Sequence, residues 1–198
     1  MNTEILWYSS RATGAVSLVL FTVTLVLGIL TAARHGSAAL PRAAVLRLHR
    51  SVSITAMAFL AIHIVTAIAD GYVALSYWDV IVPFAAAWDP FWVGLGSVAV
   101  DLMLAIGITS ALRGHLSPFA WKAVHLSAYA MWPIAVLHGI GTGGGDGTST
   151  WMVTVDIVCV AAVLGALVVR LRPDRHPDTL ARQAAATSHP LVEAGAHR

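Results

Sequence analysis

Apolar residues dominate five stretches of the chain, and polar positions fall mostly between them. A bilayer core asks for about 20 predominantly apolar residues per helix. The stretches 14–33, 46–69, 91–112, 120–140 and 151–171 meet that requirement. The pattern predicts an all-α membrane protein: a five-helix transmembrane bundle over residues 1–171, followed by a disordered tail over 172–198. The links are short and leave no room for a soluble domain. The loop 70–90 carries Trp78, Phe84 and Trp88 and is expected to lie along the membrane interface, where aromatic rings settle. The segment 139–147 is rich in glycine and is expected to be mobile.

Composition sharpens this picture. Hydrophobic residues make up 58% and charged residues 11%, with a mean hydropathy of +0.76. Soluble domains carry about 25% charged residues, so a water-facing surface cannot be covered here. One cysteine, Cys159, excludes an internal disulfide and any multi-cysteine metal site.

Charge then sets the orientation. Eleven of the twelve Lys and Arg residues fall in or beside the links between spans one and two and three and four, or at or beyond the end of span five. Only Arg11 lies on the opposite side, with Glu4, Asp70, Asp79, Asp89 and Asp146. The positive-inside rule places the N-terminus outside and the C-terminus in the cytoplasm of a plasma-membrane protein. These basic residues orient the chain and do not form a nucleic-acid site.

Histidines carry the candidate chemistry. His49 and His63 stand 14 residues apart on span two, and His125 and His138 stand 13 apart on span four. At about 1.5 Å per residue, each helix holds one histidine near each membrane surface. His49 and His125 then share the cytoplasmic depth, and His63 and His138 the outer depth. Two imidazoles at a matched depth suit the axial positions of a heme iron, and two depths imply two hemes. Zinc sites draw on three or four ligands, and no cysteine or carboxylate accompanies these histidines. The rival reading is a cofactor-free small transporter or membrane assembly factor that uses the histidines and Asp101 as a proton path. Geometry favours span two, where 14 residues return to within about 40° of one face. On span four, 13 residues miss by about 140°, and Pro133 is expected to supply the change of winding.

The histidine spacings, with Ser10-Arg-Ala-Thr-Gly14, Arg47-Leu-His-Arg50, Val82-Pro-Phe84 and the stretch from His125 to Gly139, resemble short members of the ferric reductase-like transmembrane domain family. The likeness spans roughly residues 7–171. It implies a di-heme membrane cytochrome with two b-type hemes, one held by His49 with His125 and the other by His63 with His138. The lack of Cys-x-x-Cys-His argues separately against covalent heme. Larger relatives append FAD and NAD(P)H domains and many have six spans; this chain has neither. The resemblance therefore implies a separate cytoplasmic flavin reductase, or quinol, as donor. It implies ferric iron, a flavin or a periplasmic reductase as outer acceptor.

Other residues follow from these expectations. Arg11 is a candidate for an outer-heme propionate or acceptor contact, and Arg50 for the inner heme, since propionates need cations. Phe59 and Trp132 lie between the histidine levels. Asp101 is expected to relay a proton or orient a ligand histidine, and Asp156 lies about one turn into span five.

Overall fold

A computed structural model describes residues 3–32, 41–71 and 73–171. Among these there is no strand; the chain forms eight α-helices and a single 3-10 turn. The helices are α1 (Thr3–Ala32), α2 (Arg42–Ala69), α3 (Tyr77–Ile81), α4 (Pro90–Ala111), α5 (Pro118–Leu126), α6 (Ala128–Thr142), α7 (Gly144–Gly147) and α8 (Thr150–Leu171). Five helical units, counting α5 with α6 as one, are long and apolar enough to cross a membrane. The expected tail and the histidines at 35, 176, 189 and 197 lie outside the described residues.

The extensive interfaces join α1 to α2 and α4 to α6, and α8 packs on α1. The molecule is thus organised around two antiparallel helix pairs. Its core is thin: Leu18, Phe21, Leu25 and Ile29 of α1 meet Ala56, Met103, Met131, Trp132 and Val163. Many large aliphatic side chains point outward, among them Ile108, Ile157 and Leu164, as a lipid-facing surface requires. At mid-depth the Trp132 indole N–H donates to Thr22 Oγ1 at 2.9 Å. Trp132 is therefore a core residue with its polar atom satisfied.

Three boundaries differ from expectation. Helix α1 starts at Thr3 rather than near residue 14. The polar run Ser9–Thr13 hides this start from a hydropathy reading, yet its hydroxyls fold back on the helix. Thr13 donates to the Ser9 carbonyl at 2.6 Å and Ser17 to the Thr13 carbonyl at 2.7 Å. The glycine-rich segment is not a loop: α6 runs to Thr142, and 144–147 form another helical turn. The Gly147 N–H donates to the Gly143 carbonyl at 2.9 Å. Finally, the winding of span four changes at Ser127 and not at Pro133. There the Ser127 and Ala130 N–H groups donate to carbonyls three residues back, at 3.0 and 2.9 Å. Such tight turns advance about 120° per residue instead of about 100°. Pro133 lies inside α6, where it withholds a donor from the Tyr129 carbonyl.

The loop before α4 is ordered around it. A short helix, α3, begins where the Ser76 N–H donates to Asp79 Oδ2 at 2.7 Å. Ser97 of α4 donates to the Asp79 carbonyl at 2.5 Å. Phe84 adopts a left-handed backbone, with φ of 66°, and its ring lies where a Cβ on Gly94 would fall. Tyr77 and Trp78 remain exposed, as suits rings at a membrane interface.

Candidate functional site

Each helix pair contributes two histidines to the space between the pairs. His49 and His63 come from α2, His125 from α5 and His138 from α6. The rings of His49 and His125 face each other with centroids 6.2 Å apart and planes inclined by 62°. Those of His63 and His138 lie 6.4 Å apart, inclined by 79°. The pairing expected from depth is therefore the pairing in space. The 13-residue step across the Ser127 break brings both histidines of span four onto the side facing α2.

Backbone carbonyls hold three of the four rings. The Nδ1–H of His49 donates to the Thr24 carbonyl at 3.0 Å, that of His63 to Ser10 at 2.8 Å, and that of His138 to Trp92 at 2.8 Å. A carbonyl only accepts, so Nδ1 carries a proton in each case, and in the neutral ring Nε2 is then the nitrogen with the free lone pair. Metal-binding histidines commonly donate their second nitrogen in this way. Asp101, expected as a candidate orienter, bonds none of the four rings; the main chain takes that role.

Glycines make these approaches possible. A Cβ built on Gly96 would lie 2.6 Å from the His138 ring, one on Gly14 would lie 3.0 Å from His63, and one on Gly28 would lie 3.5 Å from His49. Any side chain at 96 would push the ring away. Sequence reasoning missed these glycines and carbonyls. A signal was present: Gly14 and Gly28 repeat at the 14-residue interval of His49 and His63.

His125 is held differently. Its Nδ1 is buried without a partner. Its ring stacks on Trp121 at 4.9 Å between centroids, and the Arg113 guanidinium lies 4.2 Å over the Trp121 ring. Neither Trp121 nor Arg113 stood out as a site residue in the sequence.

Among the described residues no three His, Cys, Asp or Glu side chains converge, so the histidines act in twos. An ion between two imidazoles sits about 2.0–2.1 Å from each nitrogen, which spaces the ring centres by about 6 Å. Both pairs have that spacing, three rings donate Nδ1–H to the main chain, and glycines clear the space beside them. These donor sets fit a metal that takes two axial imidazoles.

The remaining candidates are placed as follows. Arg11 donates to the Gly143 carbonyl at 2.7 Å and lies 4.0 Å over the Trp7 ring; it ties α1 to the turn after α6 at the His63/His138 end. Arg50 is exposed beside His49, and Phe59 is half-buried. Asp156 is 8% exposed, and its Oδ1 has no partner. It lies in the wall of a mostly apolar cleft of about 470 Å³ between α6 and α8, lined by Val136, Ile140, Thr148, Ile157, Val160 and Leu164.

Compared with family models, with curated proteins and with solved structures, the chain finds no match.

Proposed function

We propose that this protein is a di-heme b-type membrane cytochrome that carries electrons across the plasma membrane. The observation that carries the reading is the double pairing of histidines, at 6.2 and 6.4 Å, on helices that share no extensive interface. A structural histidine that merely bridged helices would spend its bonding capacity on the neighbour. Here three rings tie Nδ1 to a carbonyl of their own helix pair, and each has a ring of the other pair about 6 Å away.

His49 with His125 and His63 with His138 are the proposed axial ligands. Bound heme supplies one-electron exchange at iron. The Thr24, Ser10 and Trp92 carbonyls orient the rings and make the ligating nitrogens more basic. Arg50, beside His49, is placed to pair with an anionic propionate. Arg11 is placed near the other pair, since Ser10 next to it holds His63. The charge bias along the sequence supports an outer N-terminus, with the His49/His125 pair on the cytoplasmic side. The donor is a separate cytoplasmic flavin reductase or quinol, and the acceptor is ferric iron, a flavin or a reductase outside. This is the ferric reductase-like pattern.

The test is a visible spectrum of the purified protein in detergent or lipid. Dithionite-reducible bands of b-type heme, at two hemes per chain, are expected. A colourless, folded preparation would overturn the reading and favour a proton path through the histidines.

A further inference from the structure

Outside the histidine pairs, the link from α4 to α5 gathers positive charge. The chain leaves α4 through the 3-10 turn Arg113–His115 and enters α5 at Pro118, where Ser117 Oγ accepts from the Ala120 N–H at 3.2 Å. This tight reversal brings Arg113 and Lys122, nine residues apart in the chain, to one pocket of about 230 Å³. Leu116, Pro118 and Trp121 complete its lining. Among the described residues neither cation is paired with a carboxylate. The nearest acidic residue along the chain, Asp101, lies about three turns back in α4. The Arg113 guanidinium rests 4.2 Å over the Trp121 ring, and the Trp121 indole N–H is a buried donor without a partner.

The polar groups here are all of one kind. Arginine, lysine and indole nitrogens donate and do not accept. Leu116, Pro118 and the indole face are apolar. Two cations beside an apolar wall select an anion rich in acceptor oxygens, as a phosphate is. The surroundings decide where that phosphate comes from. Leu112 and Phe119, which flank the lining residues in the chain, are exposed, Phe119 at 83%. They stand at the ends of two helices long and apolar enough to cross a membrane. A soluble anion leaves these side chains uncovered. A phospholipid covers them and brings its phosphate to the cations.

We propose that Arg113, Lys122 and Trp121 form a headgroup site for an anionic phospholipid, with the phosphate at the two cations and the acyl chains against Leu112 and Phe119. The site does not depend on the heme reading. Its assignment to the cytoplasmic leaflet, whose surface is negative, rests on the orientation proposed above. Trp121 also stacks on His125, with centroids 4.9 Å apart and planes inclined by 22°. A lipid phosphate that steadies Arg113 therefore steadies the ring that supports the one paired histidine whose Nδ1 has no partner.

The experiment uses the full chain, stripped of lipid in detergent, with native mass spectrometry counting bound lipid during a titration. Phosphatidylglycerol should bind about tenfold more tightly than phosphatidylcholine with the same acyl chains. Arg113→Gln combined with Lys122→Gln should abolish that preference, and Lys122→Arg should keep it. Both positions are exposed, so the substitutions leave the core untouched. Arg47→Gln combined with Arg170→Gln removes the same charge at two other exposed positions and should leave the preference in place. Equal affinity for the two lipids, or a control variant as damaging as the pocket variant, overturns the proposal. Inorganic phosphate at millimolar concentration should not displace the lipid; full displacement would assign the pocket to a free anion and overturn it. Heme-loaded chain should bind the lipid as well. If only heme-free chain bound it, the pocket would belong to a heme propionate, which sinks the lipid site and leaves the heme reading standing. A colourless protein that keeps the lipid preference does the reverse.

Discussion

At the His63/His138 end, both imidazoles donate to backbone carbonyls at 2.8 Å and both lie against glycines. At the His49/His125 end only His49 is held that way; His125 leans on Trp121 and leaves Nδ1 unpaired. The ring spacing is nevertheless almost the same at the two ends. Spacing is therefore set by where α2 and the α5–α6 unit stand, while anchoring is set by what the neighbouring helix offers at one carbonyl. Two ends can match in ring spacing and differ in how tightly each ring is oriented.

The largest effects come from the rings themselves. His63→Ala and His138→Ala should each remove the same heme component, and His49→Ala and His125→Ala the other, as read by redox-titrated absorbance of correctly inserted protein. A His138→Ala variant that kept two low-spin components would break the comparison at its better-anchored end.

Three glycine substitutions grade the contacts between glycines and rings. Gly96→Ala should cost about 1–3 kcal/mol, as overpacking does, and disturb the His138 component. Gly14→Ala, with its 3.0 Å contact, should cost less. Gly28→Ala, at 3.5 Å, should be neutral or stabilising, since alanine is the better helix former by about 0.5–1 kcal/mol. Unfolding in mixed micelles gives the stability, and the heme spectrum gives the ring position. A reversed order would show that the rings, and not the helices, give way.

Between the ends, Trp132→Phe removes the indole donor to Thr22 and should cost about 1 kcal/mol. Both heme components should keep their spectra, because the side chain touches the core and neither anchor. The smallest effect is expected for Arg11→Gln. It loses the bond to Gly143, so amide hydrogen exchange should quicken across 143–147 with little change in global stability. A large stability loss there would mean that Arg11 supports the whole His63/His138 end.

Much of this protein was legible in one dimension. The five spans and the matched depths of His49 with His125 and His63 with His138 follow from hydropathy and from the helical rise, which are local properties. The start of α1 was hidden because serine and threonine read as polar, although their hydroxyls bond back to the helix. The glycines at 143–147 read as a loop because composition does not show a helical turn tied down by Arg11. The angular difficulty on span four was visible, but its remedy was placed at Pro133 when the tight turn lies at Ser127.

The sequence by itself determined the five helices long and apolar enough to cross a membrane and the level along them at which each of the four histidines stands, because these need only the hydropathy, rise and turn of a single helix. Tertiary structure alone decided that the rings meet, that three of them tie Nδ1 to the main chain, and that Gly14, Gly28 and Gly96 clear the way. A carbonyl acceptor leaves no mark in a sequence: every residue has one, and only the packing of a neighbouring helix selects which will be reached.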